Sequence, residues 1–125
     1  MQCYDRRMKQ PGPDHPITIA PVGEHIVVHY RGEVVADTRN ALILEEANYP
    51  PVIYVPRADA RLEHFRRSAH HTHCPYKGDA SYFDLVAGSD AAPDAVWSYE
   101  TPFPAMAGIR EHLAFYPQHV TIERG

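Results

Sequence analysis

The sequence predicts a mainly β protein with antiparallel sheets, one clear helix and a single domain. About seven or eight short apolar runs are separated by turn residues, as in sheets whose consecutive strands pair with each other. Twelve prolines against seven glycines indicate rigid turns and few long helices. The length of 125 residues fits one hydrophobic core.

The first predicted strands follow a proline-containing N-terminal stretch. Residues 1–14 are predicted to form a flexible tail, because prolines and a glycine interrupt any periodic pattern there, and residues 15–125 to form the domain. The dipeptide Arg31-Gly32 predicts a tight hairpin turn. The strands predicted in this half are Ile17–Pro21, His25–Tyr30, Glu33–Asp37, Ala41–Glu45 and Val52–Val55.

Two helical segments are predicted in the second half. Asp59 is placed to cap a short segment, Ala60–Phe65. Apolar residues from Met106 to Leu113 recur at helical spacing and predict a longer helix over Ala105–Phe115. The remaining predictions are strands at Ala80–Val86, Asp94–Tyr99 and His119–Glu123, with a turn at Ala87–Pro93.

Composition and charge argue against several classes of function. The net charge is -4 and no stripe of lysine or arginine is present, which argues against nucleic-acid binding. No apolar run approaches the roughly 18 residues that span a membrane, and the N-terminus lacks the apolar segment of a signal peptide. We therefore expect a cytoplasmic monomer or homodimer with two free cysteines, Cys3 and Cys74.

The stretch HHTHCPYKGDASYF, from His70 to Phe83, holds the densest chemistry of the chain. His71 and His73 would share one face of an extended segment and could hold a cation. A zinc ion needs further histidine or cysteine ligands, and the sequence has no C-x-x-C pair. The alternative is that these histidines hydrogen-bond to backbone groups and hold a loop in place. We expect no metal and no cofactor.

Cys74 is the candidate nucleophile of this stretch. A cation close to a cysteine favours its reactive thiolate form, and His73 could act as the base. The alternative is that Cys74 is a small apolar side chain in the core. Whether the protein is an enzyme stays open at the level of the sequence.

Basic and aromatic residues predict the walls of a ligand pocket. The turn Pro75–Gly78 exposes backbone amides beside Lys77, and this lysine together with Arg57 could hold an anionic group. Trp97 and Tyr99 share one face of a predicted strand and would form an aromatic wall. The alternative for the aromatic residues is ordinary core packing.

Several motifs of the sequence run over His15–Ile19, Gly32–Thr38, Tyr49–Asp59, Ser68–Tyr82, Trp97–Tyr99 and His112–Pro117. In their order, these motifs resemble the domain of unknown function family 427. The resemblance implies a single-domain bacterial protein with a β-tent fold, similar to methionine sulfoxide reductase B and the thalidomide-binding domain of cereblon. Ligands of β-tent proteins sit against aromatic residues on the sheet. Many of these proteins hold zinc with two C-x-x-C pairs, which this sequence lacks.

The same family carries a nucleotidyltransferase-like label. Nucleotide transfer needs carboxylates that hold divalent metal ions against phosphates, typically on a Gly-Ser turn followed by Asp-x-Asp. Gly88-Ser89 is present, but Asp90 and Asp94 do not form that motif. The residues therefore give this label no support.

Together these observations predict a pocket that binds a small anionic or polar metabolite. One alternative is a small enzyme that uses Cys74 with His73, and another is a non-catalytic interaction module. The residues predicted to surround the pocket are Arg57, His71, Lys77, Ser81, Tyr82, Trp97 and Tyr99.

Overall fold

Two antiparallel sheets make up the protein in the computed structural model, which describes residues 8–125. The larger sheet has seven strands in the order β1-β4-β5-β9-β8-β7-β6, and the smaller has three in the order β10-β2-β3. The mainly β, antiparallel prediction is confirmed. The strands are β1 Ile17–Pro21, β2 Ile26–Tyr30, β3 Glu33–Thr38, β4 Leu42–Glu46, β5 Val52–Pro56, β6 Phe65–Cys74, β7 Gly78–Ala87, β8 Asp90–Ser98, β9 His112–Phe115 and β10 Thr121–Arg124.

The first five strands lie within one residue of their predicted bounds at most ends, because each carries apolar residues between turn signals. The Arg31-Gly32 turn joins β2 to β3, and both of its residues have positive φ, 51° and 79°. Part of the predicted tail, residues 1–7, lies outside the described residues. The described part of the predicted tail contacts the rest of the protein, because the backbone amide of Lys9 donates a hydrogen bond to the Pro75 carbonyl at 2.6 Å.

The predicted helix over Ala105–Phe115 is wrong. A 3-10 segment covers Pro104–Ile109, and the chain then reverses at Glu111, whose φ is 58°, into strand β9. Ile109 packs on one face of the large sheet and Leu113 on the other. The helix-like spacing therefore arises from residues that pack on two opposite faces of the large sheet, and not from one face of a helix.

Two other predictions need correction in their bounds, and one strand was missed. The helical segment Ala60–Phe65 is reduced to a 3-10 turn at Leu62–His64, preceded by another at Arg57–Asp59. The turn at Ala87–Pro93 shrinks to two residues, because β8 begins at Asp90. Strand β6 was not predicted, since most of its side chains are polar and exposed and it lies at the sheet edge.

The hydrophobic core consists of two clusters on opposite faces of the large sheet. Adjacent residues alternate between them: Tyr54 and Tyr82 belong to the outer cluster, and Val55 and Phe83 to the cluster between the sheets. The small sheet covers the inner cluster, and the 3-10 segment Pro104–Ile109 packs on the outer one through its buried residues. Within residues 8–125, no helix is long and apolar enough to cross a membrane.

Candidate functional site

A pocket of about 230 Å³ opens on the outer face of the large sheet. Aromatic side chains form most of its wall, and the Glu46 carboxylate and the Lys77 ammonium supply its charged groups. Leu44, Pro50 and Val52 complete the lining. The aromatic residues are Tyr49, Tyr54, Tyr82, Trp97, Tyr99 and Tyr116.

The register of the strands brings these rings together. Tyr82 of β7 lies directly opposite Trp97 of β8, and Trp97 lies opposite Ala114 of β9. Residues two apart on a strand share a face, so Tyr116, which follows β9, and Tyr99, which follows β8, point the same way as Ala114 and Trp97. Pairing that is distant in sequence thus builds one aromatic surface.

Trp97 lies at the centre of this surface. Its indole Nε1 donates a hydrogen bond to the Tyr54 hydroxyl at 3.3 Å, and the two rings meet edge to face with centroids 6.4 Å apart. The Tyr116 ring lies 4.5 Å from the Trp97 ring, centroid to centroid. The Tyr82 hydroxyl is 2.9 Å from the Thr72 hydroxyl of β6. Several polar ends of the aromatic side chains therefore face the same space.

The hydroxyls of three pocket tyrosines, Tyr54, Tyr99 and Tyr116, stay protonated at neutral pH. Burial raises the pKa of Tyr54 and of Tyr99 far above the ordinary value of 10. Burial, together with the hydrogen bond to Tyr82, raises the pKa of Tyr116 to about 12. A protonated phenol can both donate and accept a hydrogen bond, so these groups suit an uncharged polar ligand.

A buried ion pair forms one end of the pocket. The Lys77 ammonium donates to Glu46 Oε1, and His15 Nε2 lies 2.7 Å from Glu46 Oε2. Burial, the largest influence, raises the pKa of Glu46, but the hydrogen bonds from Lys77 and His15 outweigh it and lower the pKa below 4.5. The His15 ring stacks on Tyr76 at 3.9 Å. Glu46 is therefore ionised, and its charge balances that of Lys77.

Cys74 contacts the lysine of this ion pair. Its thiol lies 3.7 Å from the Lys77 ammonium, and the side chain packs against the outer cluster. His73, the next residue back along the strand, points to the opposite face, where its Nδ1 lies 2.7 Å from Asp79. The Cys74 thiol therefore lies beside the Lys77 ammonium, and His73, which was predicted to act as the base, points away from the thiol.

Arg57, His71 and Ser81 lie on the face opposite the pocket. His71 pairs in register with Ser81, and its neighbour Thr72 is the residue that reaches Tyr82. Arg57 donates to the Glu100 carboxylate at 3.0 Å. Of the predicted surrounding residues, the structure therefore brings only Lys77, Tyr82, Trp97 and Tyr99 into one pocket.

Two arginines enclose Glu100 on that opposite face. Arg67 makes two hydrogen bonds to the carboxylate, at 3.1 and 2.9 Å, and Arg57 makes a third. Both guanidinium groups also lie over the Phe83 ring, at 4.9 and 5.3 Å from its centre. The Arg67 hydrogen bonds are the largest influence and lower the pKa of Glu100 to about 2. Arg57 is therefore already engaged by an acidic partner within the chain.

A family model matches residues 18–124, under the description "Domain of unknown function (DUF427)". The chain belongs to the DUF427 family. No curated protein matches it. The matched span contains the strands of the large sheet that carry the aromatic surface, but it begins after His15. The pocket of this DUF427 domain is thus a property of the matched region, apart from one hydrogen bond to Glu46.

Two acidic residues near the Gly88-Ser89 turn of this DUF427 protein, Asp84 and Asp94, are bonded to protein groups. The Ser68 hydroxyl donates to Asp94, and Arg66 donates to Asp84 at 3.2 and 3.3 Å. The backbone amide of Asp94 donates to the other oxygen of Asp84. Among residues 8–125, no three His, Cys, Asp or Glu side chains come together as a potential metal site.

Sequence reasoning missed Glu46, Tyr54 and Tyr116 as pocket residues. Alternation along the predicted strand Val52–Val55 could have placed Tyr54 opposite to the inner core. Tyr116 was hidden by the incorrect helix, which ended one residue before it. No local signal links Glu46 to Lys77, because the two are 31 residues apart in the sequence.

Proposed function

We propose that this DUF427 domain binds a small, uncharged, hydroxyl-bearing ring compound in the aromatic pocket. The observation that carries the proposal is the convergence of six aromatic side chains on one space that also contains a charge-balanced ion pair. Aromatic walls stack on flat or apolar ring faces, and a few polar groups then fix the orientation of the ligand. The β-tent fold implied by the family resemblance is in line with a ligand placed against aromatic residues.

The charge of the pocket favours an uncharged ligand over an anion. Lys77 is paired with Glu46, and Arg57, the other predicted anion contact, is on the opposite face with Glu100. An anion would add a charge without a free cation to balance it, which is costly in a partly buried site. Of the two classes predicted from the sequence, the polar one therefore has the better physical support.

The volume of the pocket favours a compact molecule. About 230 Å³ corresponds to roughly eight water molecules at the liquid volume of about 30 Å³ each. A single six-membered ring with one or two substituents has a similar number of non-hydrogen atoms.

The test is a titration with phenol and benzoate that follows the fluorescence of Trp97, the only tryptophan in the chain. Phenol is expected to give a saturable change. Benzoate should bind at least about tenfold more weakly, because its buried charge would be unbalanced. Equal or tighter binding of benzoate would contradict the preference for an uncharged ligand, and no saturable change with phenol would contradict the proposal itself.

A pair of tyrosine variants locates the ligand. Tyr116→Phe keeps the ring and removes a pocket hydroxyl, so phenol affinity should fall about five- to tenfold, the value of one hydrogen bond. Tyr30→Phe is the control, since Tyr30 is a tyrosine of the inner cluster that does not line the pocket. Equal effects of the two variants would place the phenol outside the pocket.

A second candidate function is thiol chemistry at Cys74, favoured by the ammonium 3.7 Å from its sulfur. The test is the rate of alkylation by iodoacetamide in a Cys3→Ser background, with Lys77→Gln as the comparison. If Cys74 is reactive, it should be alkylated faster than free cysteine, and its alkylation rate should be lower in Lys77→Gln. Alkylation slower than that of free cysteine in both proteins would rule out a nucleophilic role.

A further inference from the structure

An apolar groove of about 390 Å³ adjoins the aromatic pocket. It lies where the start of β5, the end of β9 and β10 approach one another. Its lining, within the described residues, consists of aliphatic, aromatic and proline side chains. Those that belong to the groove and not to the pocket are Pro51, Ile53, Phe115, Pro117 and Ile122.

The pocket and the groove share one wall. Tyr49, Pro50, Val52 and Trp97 line both spaces. Tyr49 is a large aromatic residue that is 62% exposed, at the place where the two spaces meet. A molecule seated against Trp97 in the pocket could therefore extend past this wall into the groove without leaving the protein surface.

The two spaces differ in chemistry. The pocket contains the ion pair and the protonated hydroxyls, whereas the groove residues offer hydrophobic surface. Apolar groups gain free energy when they leave water for such a surface, about 0.8 kcal/mol for each buried methylene. A ligand that uses both spaces must be polar at one end and apolar at the other.

We infer that the ligand is amphipathic, with a hydroxyl-bearing ring in the pocket and an alkyl tail in the groove. This inference rests on the proposed function, because it assumes that the ring occupies the pocket. It adds the class of molecule: a ring compound with an apolar substituent, rather than a sugar or another molecule that is polar throughout.

The experiment compares phenol, 4-ethylphenol and 4-butylphenol by titration of Trp97 fluorescence. The Kd should fall with tail length, by up to about fourfold for each methylene that the groove buries. Pro51→Asp places a charge in the groove at an exposed residue that does not line the pocket, so it should leave the Kd of phenol within about twofold and remove most of the gain from the tail. Pro13→Asp, an exposed proline far along the chain from the groove residues, is the matched control.

The outcomes separate the two proposals. If phenol does not bind, the proposed function fails and this inference fails with it. If phenol binds but 4-butylphenol binds no more tightly, the inference is overturned and the proposed function stands. If the tail increases affinity equally in the natural protein, in Pro51→Asp and in Pro13→Asp, the tail lies outside the groove, which also overturns the inference.

Discussion

The Lys77 ammonium and the Glu46 carboxylate are the charged groups most deeply placed in the pocket, with side chains only 9% and 12% exposed. Removing two charges from water is costly, and their attraction compensates only when hydrogen bonds satisfy the remaining polar atoms. Here His15 bonds the second oxygen of Glu46. Each member of the pair therefore depends on the other for its burial.

Lys77→Met tests this dependence. It leaves Glu46 buried with His15 alone, so the free energy of unfolding should fall by about 2–4 kcal/mol, measured by urea denaturation. Adding Glu46→Leu to the same protein should recover part of the loss, because no isolated charge then remains. A loss below about 0.5 kcal/mol in the single variant would mean that water reaches the carboxylate freely.

Glu100 makes stability depend on pH. Its pKa is about 2 in the folded protein and 4.5 ordinarily, so its contribution is fully present above pH 4.5 and is lost as the pH falls towards 2. Because the carboxylate is partly exposed, we expect Glu100→Gln to cost about 1–2 kcal/mol at neutral pH, and less as the pH falls through that window. Unfolding by urea between pH 7 and pH 3 measures this, with the exposed Glu33→Gln as control. An equal cost at both pH values would contradict the pKa shift.

The turn between β6 and β7 is held from two sides. Phe103 donates its backbone amide to the Lys77 carbonyl at 3.0 Å, and Lys9 donates to the Pro75 carbonyl. Gly78 ends the turn with a φ of 110°, a conformation that side-chain-bearing residues rarely adopt. The turn thereby fixes the position of Lys77 relative to the strand that carries Glu46.

Gly78→Ala should destabilise the protein by about 1–3 kcal/mol. The positive φ strains any added Cβ, and the backbone of Pro102 and Phe103 lies 3.6 and 3.5 Å from where that atom would be. Thermal unfolding measures the effect. Gly12→Ala is the matched control, because its Cβ would meet nothing within 4 Å and its φ is not in the strained region. Similar shifts in the two variants would contradict this role for Gly78.

At the scale of the whole molecule, the large sheet is shared by both core clusters. Strand β10, near the C-terminus, pairs with β2, and β9 pairs with β5, so strands distant in sequence close both sheets. The pocket and the interior between the sheets are thus two sides of one layer. Neither cluster can lose its strands without exposing the other, which favours a single cooperative unfolding transition.

Val28→Ala tests this cooperativity. Val28 of β2 is fully buried in the cluster between the sheets, whereas Trp97 packs with the outer cluster. The substitution should lower the free energy of unfolding by about 1–3 kcal/mol. Trp97 fluorescence and far-ultraviolet circular dichroism should report the same shifted urea midpoint. Two separate midpoints would mean that the clusters unfold independently.

Strands with apolar alternation could be predicted from the sequence, and other elements could not. Val52–Val55 has apolar side chains between prolines, which predicts a strand, whereas β6 exposes polar residues at the sheet edge and gives no such pattern. Strand β9 was misread because apolar residues three or four apart also occur where a 3-10 segment passes into a strand. Local periodicity cannot distinguish these cases without knowledge of the neighbouring strands.

The candidate site was predictable only where strand alternation determines it. Trp97 and Tyr99 share a face through spacing alone, and the structure places both in the pocket. The same argument could not predict that Lys77 lines the pocket and Arg57 does not. The face of the sheet on which each side chain lies depends on strand pairing and not on neighbouring residues. The ion pair between Glu46 and Lys77 likewise depends on how the β6–β7 turn meets the end of β4.

His15 shows that the region matched by the family model and the folding unit of this protein have different limits. The family match starts at Thr18, yet His15 bonds Glu46 and stacks on Tyr76. A polypeptide trimmed to residues 18–124 would lose only the first residue of β1 among the strands, and would still lose one of the two partners of a buried carboxylate. Anyone who expresses the domain for ligand work should therefore choose its first residue from these contacts and start upstream of Lys9.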